Sequence, residues 1–206
     1  MISLFIDTST SRLIIGVLRD KKVIDIINIE VHNDLSSKVL PNLKEMLDNL
    51  NINIKDVEEI YCVNGPGSFT GVRVGVTICK TIAWSLKKKI YPVSSLCLMA
   101  SGCEKKYAVS MIDARRGYVF AGMYDKKLKS IIPDQYIKLE DLYKILKKDY
   151  DLNDIEFISY DKIDDTMKPN IDLEKLLEKG KFIEVNPHQL NPNYLKKTEA
   201  EEKLNA

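Results

Sequence analysis

Three observations predict an α/β chain built from two related lobes. Short apolar strand patterns alternate with helical stripes at three- and four-residue spacing. A strand ending in Ile6-Asp7 is echoed half a chain later by one ending in Ile112-Asp113, and each runs through a polar turn into a second apolar strand. Gly16 and Gly122 then stand at the same distance beyond the two aspartates, as in an internal repeat. The expected division is a first lobe over 1–103 and a second, weaker copy over 104–206.

A chain of 206 residues is long enough for one large domain or two small lobes with a real core. Charged residues make up 30% of it and the net charge is +1, so no global field draws it to nucleic acid. No apolar segment approaches the roughly 20 residues that span a bilayer. The N-terminus lacks a basic region before its first apolar run. A cytoplasmic location without membrane attachment is expected. The four cysteines form no Cys-x-x-Cys pair, and the two histidines form no His-x-x-x-His pair, so no transition-metal site is predicted.

In order, Ser3–Asp7, Leu13–Leu18 and Val23–Ile29 read as a three-stranded antiparallel meander. His32 reads as a surface or capping residue. Leu35, Val39, Leu43, Met46, Leu47 and Leu50 form a helical stripe, with Pro41 expected to bend the helix. Ile60–Val63 is a strand, and Gly65-Pro66-Gly67 a stiff turn, since proline fixes φ while glycine accepts conformations closed to other residues. Thr70 is placed to cap the following helix, from about Gly71 to Leu86. Gly71, Gly75 and Cys79 recur at every fourth position as a small face, while Val72, Val76, Ala83 and Leu86 form a separate oily stripe. That predicts a helix packed on two sides, one toward its sheet and one toward a partner. Ile90–Val93 is a strand and Ser94–Ala100 a short helix. The second half offers strands at Tyr107–Asp113, Ile155–Tyr160 and Phe182–Val185, and helices at Leu139–Lys148 and Leu173–Lys179. The charged stretch Lys196–Lys203 reads as a frayed helix.

Four places invite chemistry. A glycine-rich turn before a helix often cradles phosphate, yet this one is neither Gly-x-Gly-x-x-Gly nor a P-loop. Asp7, beside the hydroxyls Thr8–Ser11, would position a metal–phosphate complex in a phosphotransferase of the actin type, or else satisfies its own turn. The turn after Asp113 carries Arg115 and Arg116, suited to an anion or an acidic partner, or simply exposed. Ser68 and Thr70 have no histidine at triad spacing, which argues against nucleophilic catalysis.

Ile6-Asp7-Thr8-Ser9, the block Gly65-Pro66-Gly67-Ser68-Phe69-Thr70-Gly71-Val72-Arg73-Val74-Gly75, Val93-Ser94-Ser95-Leu96, Ile112-Asp113-Ala114-Arg115-Arg116-Gly117 and Pro192-Asn193-Tyr194-Leu195 follow one another along nearly the whole chain. In these motifs the sequence resembles the tRNA threonylcarbamoyladenosine biosynthesis proteins of the TsaB (YeaZ) family. The resemblance implies an actin-like ATPase (sugar kinase/Hsp70) fold: two lobes with mixed sheets, the second reduced.

It also implies a subunit without chemistry of its own, paired with the catalytic paralogue TsaD and the ATPase TsaE. On that reading ATP and metal belong to the partner subunits, tRNA is met only through the complex, and the isolated chain forms a homodimer. The partner face would comprise Leu35, Val39, Leu43, Gly71, Val74, Gly75, Ile78 and Cys79, with Gly65, Pro66, Gly67 and Thr70 as a structural turn. Asp7, Asp113 and Arg115 would be a vestigial nucleotide or anion site. Gly75→Arg is expected to leave the fold intact and abolish pairing. The competing class is a small actin-fold, ATP-dependent phosphotransferase acting alone. It calls for a glycine-bearing phosphate turn after Asp7, which this sequence lacks.

Overall fold

The computed structural model describes residues 1–31 and 34–196. His32, and the stretch expected as a frayed helix beyond Lys196, lie outside them. The first sheet comprises β1 (Ile2–Asp7), β2 (Arg12–Arg19), β3 (Lys22–Glu30), β4 (Glu59–Gly65) and β5 (Lys89–Ser94), in the order β3-β2-β1-β4-β5. The meander β1–β3 is antiparallel, and β4 and β5 join it in parallel. The second sheet repeats that plan one strand short, with β6 (Tyr107–Asp113), β7 (Tyr118–Asp125), β8 (Ser130–Lys138) and β9 (Ile155–Ile158) in the order β8-β7-β6-β9. β9 lies parallel to β6. This is the duplicated, mixed-sheet actin-like plan, and its second copy is the reduced one.

The glycine match between the copies has a different basis from the one expected. Gly16 pairs with Phe5, whereas Gly122 pairs with Ser110, so the two ladders are one residue out of step. A one-residue step moves a side chain to the other face of a sheet. Each glycine leaves room for a different neighbour: a Cβ at Gly16 would overlap Leu173, and one at Gly122 would overlap the Asp134 carboxylate.

Helices α1 (Leu35–Asn49) and α2 (Phe69–Leu86) cover one face of the first sheet. Leu4, Ile6, Leu13 and Ile60 from the strands meet Val39, Leu43, Val72 and Val76 there, all buried. Pro41 sits on the exposed side of α1, which runs on through it. The opposite sheet face carries Phe5, Ile14, Leu18 and Tyr61, packed against α3 (Ser95–Met99), α5 (Leu173–Lys179) and the second-lobe residues Ala108, Ile112 and Tyr124. The two lobes therefore share one cluster. α4 (Leu139–Asp149) closes a separate core around Val109, Met111 and Val119.

β9 is the last strand of the second sheet. From Leu173 the chain returns to the first lobe, where Leu173, Leu176 and Leu177 enter its core. Phe182–Val185, expected as a strand, makes a single antiparallel bridge from Val185 to Ile90 at the β5 edge. Asn193 N–H then reaches Asn64 O at 2.6 Å. An edge strand attracts whatever chain can satisfy its backbone, here the C-terminal segment.

Candidate partner-binding face and interlobe cleft

β4 ends at Gly65, whose φ of +114° favours glycine, and the Gly65–Pro66 peptide is cis. The turn is tied down from three directions. Ser68 N–H donates to Ser9 O at 2.7 Å, Ser95 Oγ donates to Pro66 O at 2.5 Å, and Asn64 Nδ2 donates to Asn191 O at 3.0 Å. The α2 cap is Ser68, not Thr70: its Oγ accepts from Gly71 N–H at 3.3 Å, and Thr70 is exposed.

The small face of α2 points inward. Thr8 Oγ1 donates to Gly71 O at 2.7 Å, and a Cβ at Gly71 or Gly75 would overlap Thr8 O or Oγ1. A Cβ at Gly67 would overlap Ser9 O. Cys79 is fully buried. Val72, Val76 and Ala83 are buried beside these residues, so the small face and the oily stripe form one continuous inward arc. The expectation that Gly71, Gly75 and Cys79 are open to a partner is thus corrected, because the β1–β2 turn occupies the space over the two glycines and Cys79 lies in the core with Cys62 of β4. Val39 and Leu43 are likewise core residues of α1. Of the eight expected face residues, Leu35, Val74 and Ile78 remain partly exposed.

Val74 and Ile78 belong to an outward surface, with Leu35 beside it, that is completed by residues the sequence reading did not assign to a face: Thr70, Thr77, Thr81, Ile82 and Ser85. Its signal was present, since from Val74 to Leu86 the helix holds one charged residue, Lys80. Lys80 Nζ is turned aside to the carbonyls of His188 and Leu190, at 3.0 and 3.1 Å. On that same side the C-terminal segment lies along α2, where Arg73 stacks 3.8 Å over the Phe69 ring and donates to Tyr194 OH at 2.7 Å.

Between the lobes lies a cleft of about 480 Å³, lined by Ser9–Ser11, Gly67–Thr70 and, opposite, Asp113, Arg115, Phe120 and Asp161. Asp113 and Arg115 meet there: Asp113 Oδ1 accepts from Arg115 N–H at 2.8 Å, and Asp161 Oδ2 from Asp113 N–H at 2.8 Å. Burial, then the neighbouring Asp113, raises the Asp161 carboxyl above its ordinary range, partly offset by its bond from the Asp113 N–H. Asp7 does not join them. It is buried beneath the β1–β2 turn, accepting from Ser9 N–H at 2.7 Å, which is the turn-satisfying role. No group of three or more His, Cys, Asp or Glu residues is placed to hold a metal among the described residues.

Burial lifts the Asp7 carboxyl to about 6, against its ordinary 3.8. The folded state therefore holds this proton more tightly than the unfolded chain does. That contribution is fully present below about pH 4 and is lost as pH rises through about 6; a gap this wide is worth about 3 kcal/mol. Asp7→Asn is expected to flatten this part of the stability profile and to unfold at higher urea than the parent at pH 8. Urea titrations at pH 4, 6 and 8 check it, and an unchanged profile refutes the assignment.

Comparison with known proteins places these features. Residues 29–184 match the family model described as TsaD, tRNA N6-adenosine threonylcarbamoyltransferase. The tRNA threonylcarbamoyladenosine biosynthesis protein TsaB of Bacillus subtilis is 40% identical over 153 residues, covering 72% of this chain and 67% of that one. Its namesake from Buchnera aphidicola of Schizaphis graminum is 33% identical, covering 71% and 75%. Among solved structures, YeaZ from Pseudomonas aeruginosa superposes with a TM-score of 0.71 at 20% identity, over 94% of this chain and 99% of that one. No helix among the described residues is long and apolar enough to cross a membrane.

Proposed function

The chain belongs to the TsaB family of tRNA threonylcarbamoyladenosine biosynthesis proteins, and on that footing we propose that it is a non-catalytic subunit scaffolding and activating a TsaD paralogue together with TsaE. The modified base would be the adenosine 3′ of the anticodon in ANN-decoding tRNAs. ATP and metal would sit on the partner subunits, and tRNA would be met through the complex.

The observation that carries this reading is the uncharged outer face of α2 in a chain that is 30% charged. Interface cores are depleted in charge, and exposed aliphatic residues beside small hydroxyls suit helix-on-helix packing. Val74, Ile78 and Ile82 form the ridge, with Leu35 of α1 beside it. The matching helices of the paralogue would cover this ridge. Without the paralogue a second copy would do so, about a two-fold axis.

Thr81→Arg tests the reading, because it charges the face at an exposed position with no core contact. The variant should stay folded by circular dichroism yet fail to co-purify with TsaD, and tRNA modification should fall to the level seen without this chain. Retained pairing would sink the face assignment. Modification at full rate without the chain would sink the subunit reading, and turnover of Mg-ATP by the chain alone would replace it with a phosphotransferase.

A further inference from the structure

A second cavity, of about 620 Å³, shares no lining residue with the interlobe cleft. That volume falls within the range of small-molecule sites. Its walls are apolar and come from both lobes: Pro92 of β5 and Phe182 from one, Tyr124 and Leu128 of the β7–β8 hairpin from the other. At the floor lie Ser94 and Cys97. Behind it, the Asp134 carboxylate accepts from Ser94 Oγ at 2.5 Å and from Tyr124 OH, so its oxygens are turned to those hydroxyls. Burial pushes the Cys97 thiol up to about 12 and the Tyr124 hydroxyl well above its ordinary value, leaving both uncharged.

The mouth is cationic. Lys127, Lys129, Lys179 and Lys181 ring it, against Asp125 and Glu178. Glu178 pairs with Lys179 at 2.7 Å, and Asp125 Oδ1 is engaged by the backbone N–H groups of Lys127 and Lys129, at 2.8 and 2.9 Å. Among the described residues, no carboxylate pairs with the ammonium groups of Lys127, Lys129 or Lys181. Four lysines against Asp125, Glu178 and the Asp134 carboxylate behind the floor still leave a positive surplus, which suits a phosphomonoester carrying about −1.5 to −2 charges at neutral pH. Lysine serves phosphate as a point charge, whereas a flat carboxylate clamp calls for arginine.

We propose that this cavity binds a nucleoside-monophosphate-like ligand, with its planar body against Tyr124, Leu128 and Phe182 and its phosphate at Lys129 and Lys181. A molecule seated there would touch both lobes and tie the β7–β8 hairpin to the end of α5. It would be held apart from the cleft in which Arg115 lies.

Isothermal titration of the full chain with AMP tests this, with adenosine as a second titrant and with Lys129→Ala/Lys181→Ala and Arg115→Ala as variants checked for folding by circular dichroism. AMP is expected to bind. Adenosine should bind at least about tenfold more weakly, and the double lysine variant should lose a similar factor, a charge-assisted contact being worth about that much. Arg115→Ala should leave AMP binding unchanged. No heat from AMP at millimolar concentration overturns the proposal, as does equal affinity for adenosine. Loss of binding in Arg115→Ala with retention in the lysine pair would move the ligand to the interlobe cleft. If the lysine pair weakens tRNA binding while AMP does not bind, the ring serves a polymer backbone and the cavity proposal fails.

Discussion

Gly75→Arg is expected to unfold the protein rather than merely unpair it. The first atom of any side chain at this position overlaps Thr8 Oγ1, whose own hydrogen bond to Gly71 O holds the β1–β2 turn against α2. Arginine also carries a charge into a buried site. Overpacking alone costs about 1–3 kcal/mol, and burying a charge adds several more. The sum rivals the roughly 5–15 kcal/mol that holds an ordinary domain together. Expression in inclusion bodies, or a melting transition lowered by more than about 10 °C, is the expected readout. A folded Gly75→Arg protein with normal stability would show that α2 sits away from the turn and that its small face is free after all. Paired with Thr81→Arg, the experiment separates the buried side of α2 from its open one.

Removal of residues 171–206 is expected to collapse the first lobe, although the deleted stretch follows the second. Leu173, Leu176 and Leu177 of α5 are buried against Phe5, Ile14, Leu18 and Tyr61. Three leucines at about 1.5–3 kcal/mol each amount to roughly 5–9 kcal/mol, comparable to the stability of a whole domain. The shortened chain should aggregate and bind a hydrophobic dye. Leu176→Ala in the full chain should cost about 2–5 kcal/mol and remain folded. A monomeric, cooperatively melting 1–170 fragment would mean that α5 is an accessory rather than a wall of the core.

Much of the fold could be read directly because its signals are local. β1, β2 and β3, the two long helices of the first lobe and α4 announce themselves through periodicity, and the repeated Asp-then-turn motif announces β6 and β7, whereas β8, with Pro133 inside it, is not legible in that way. The cap of α2 was misplaced by two residues, from Ser68 to Thr70, because both carry a hydroxyl and spacing alone does not say which one faces the helix amides. The Gly16 and Gly122 match was drawn from a count along the chain. A shorter hairpin in the second copy moved its ladder by one residue, and a count cannot register that. In the cleft, the bond from the Arg115 N–H to Asp113 is a local turn contact two residues long, whereas the burial of Asp7 away from the cleft depends on distant chain and is not legible in the sequence.

Residue patterns alone specify the order of the first-lobe elements, the duplication, the small-residue period of α2 and the family. Each of these is written in residues that are neighbours in the chain or in repeating motifs. Tertiary structure decided which way that period faces. Thr8 and Gly71 are 63 positions apart, yet their contact turns the glycines inward and leaves the uncharged threonine side exposed. It also decided that the last described residues belong to the first lobe, because the open edge of β5 and the uncovered apolar face of the first sheet are satisfied by chain arriving from the far end. Periodicity fixes what lies on one side of a helix; the molecule's own long-range contacts fix what covers it.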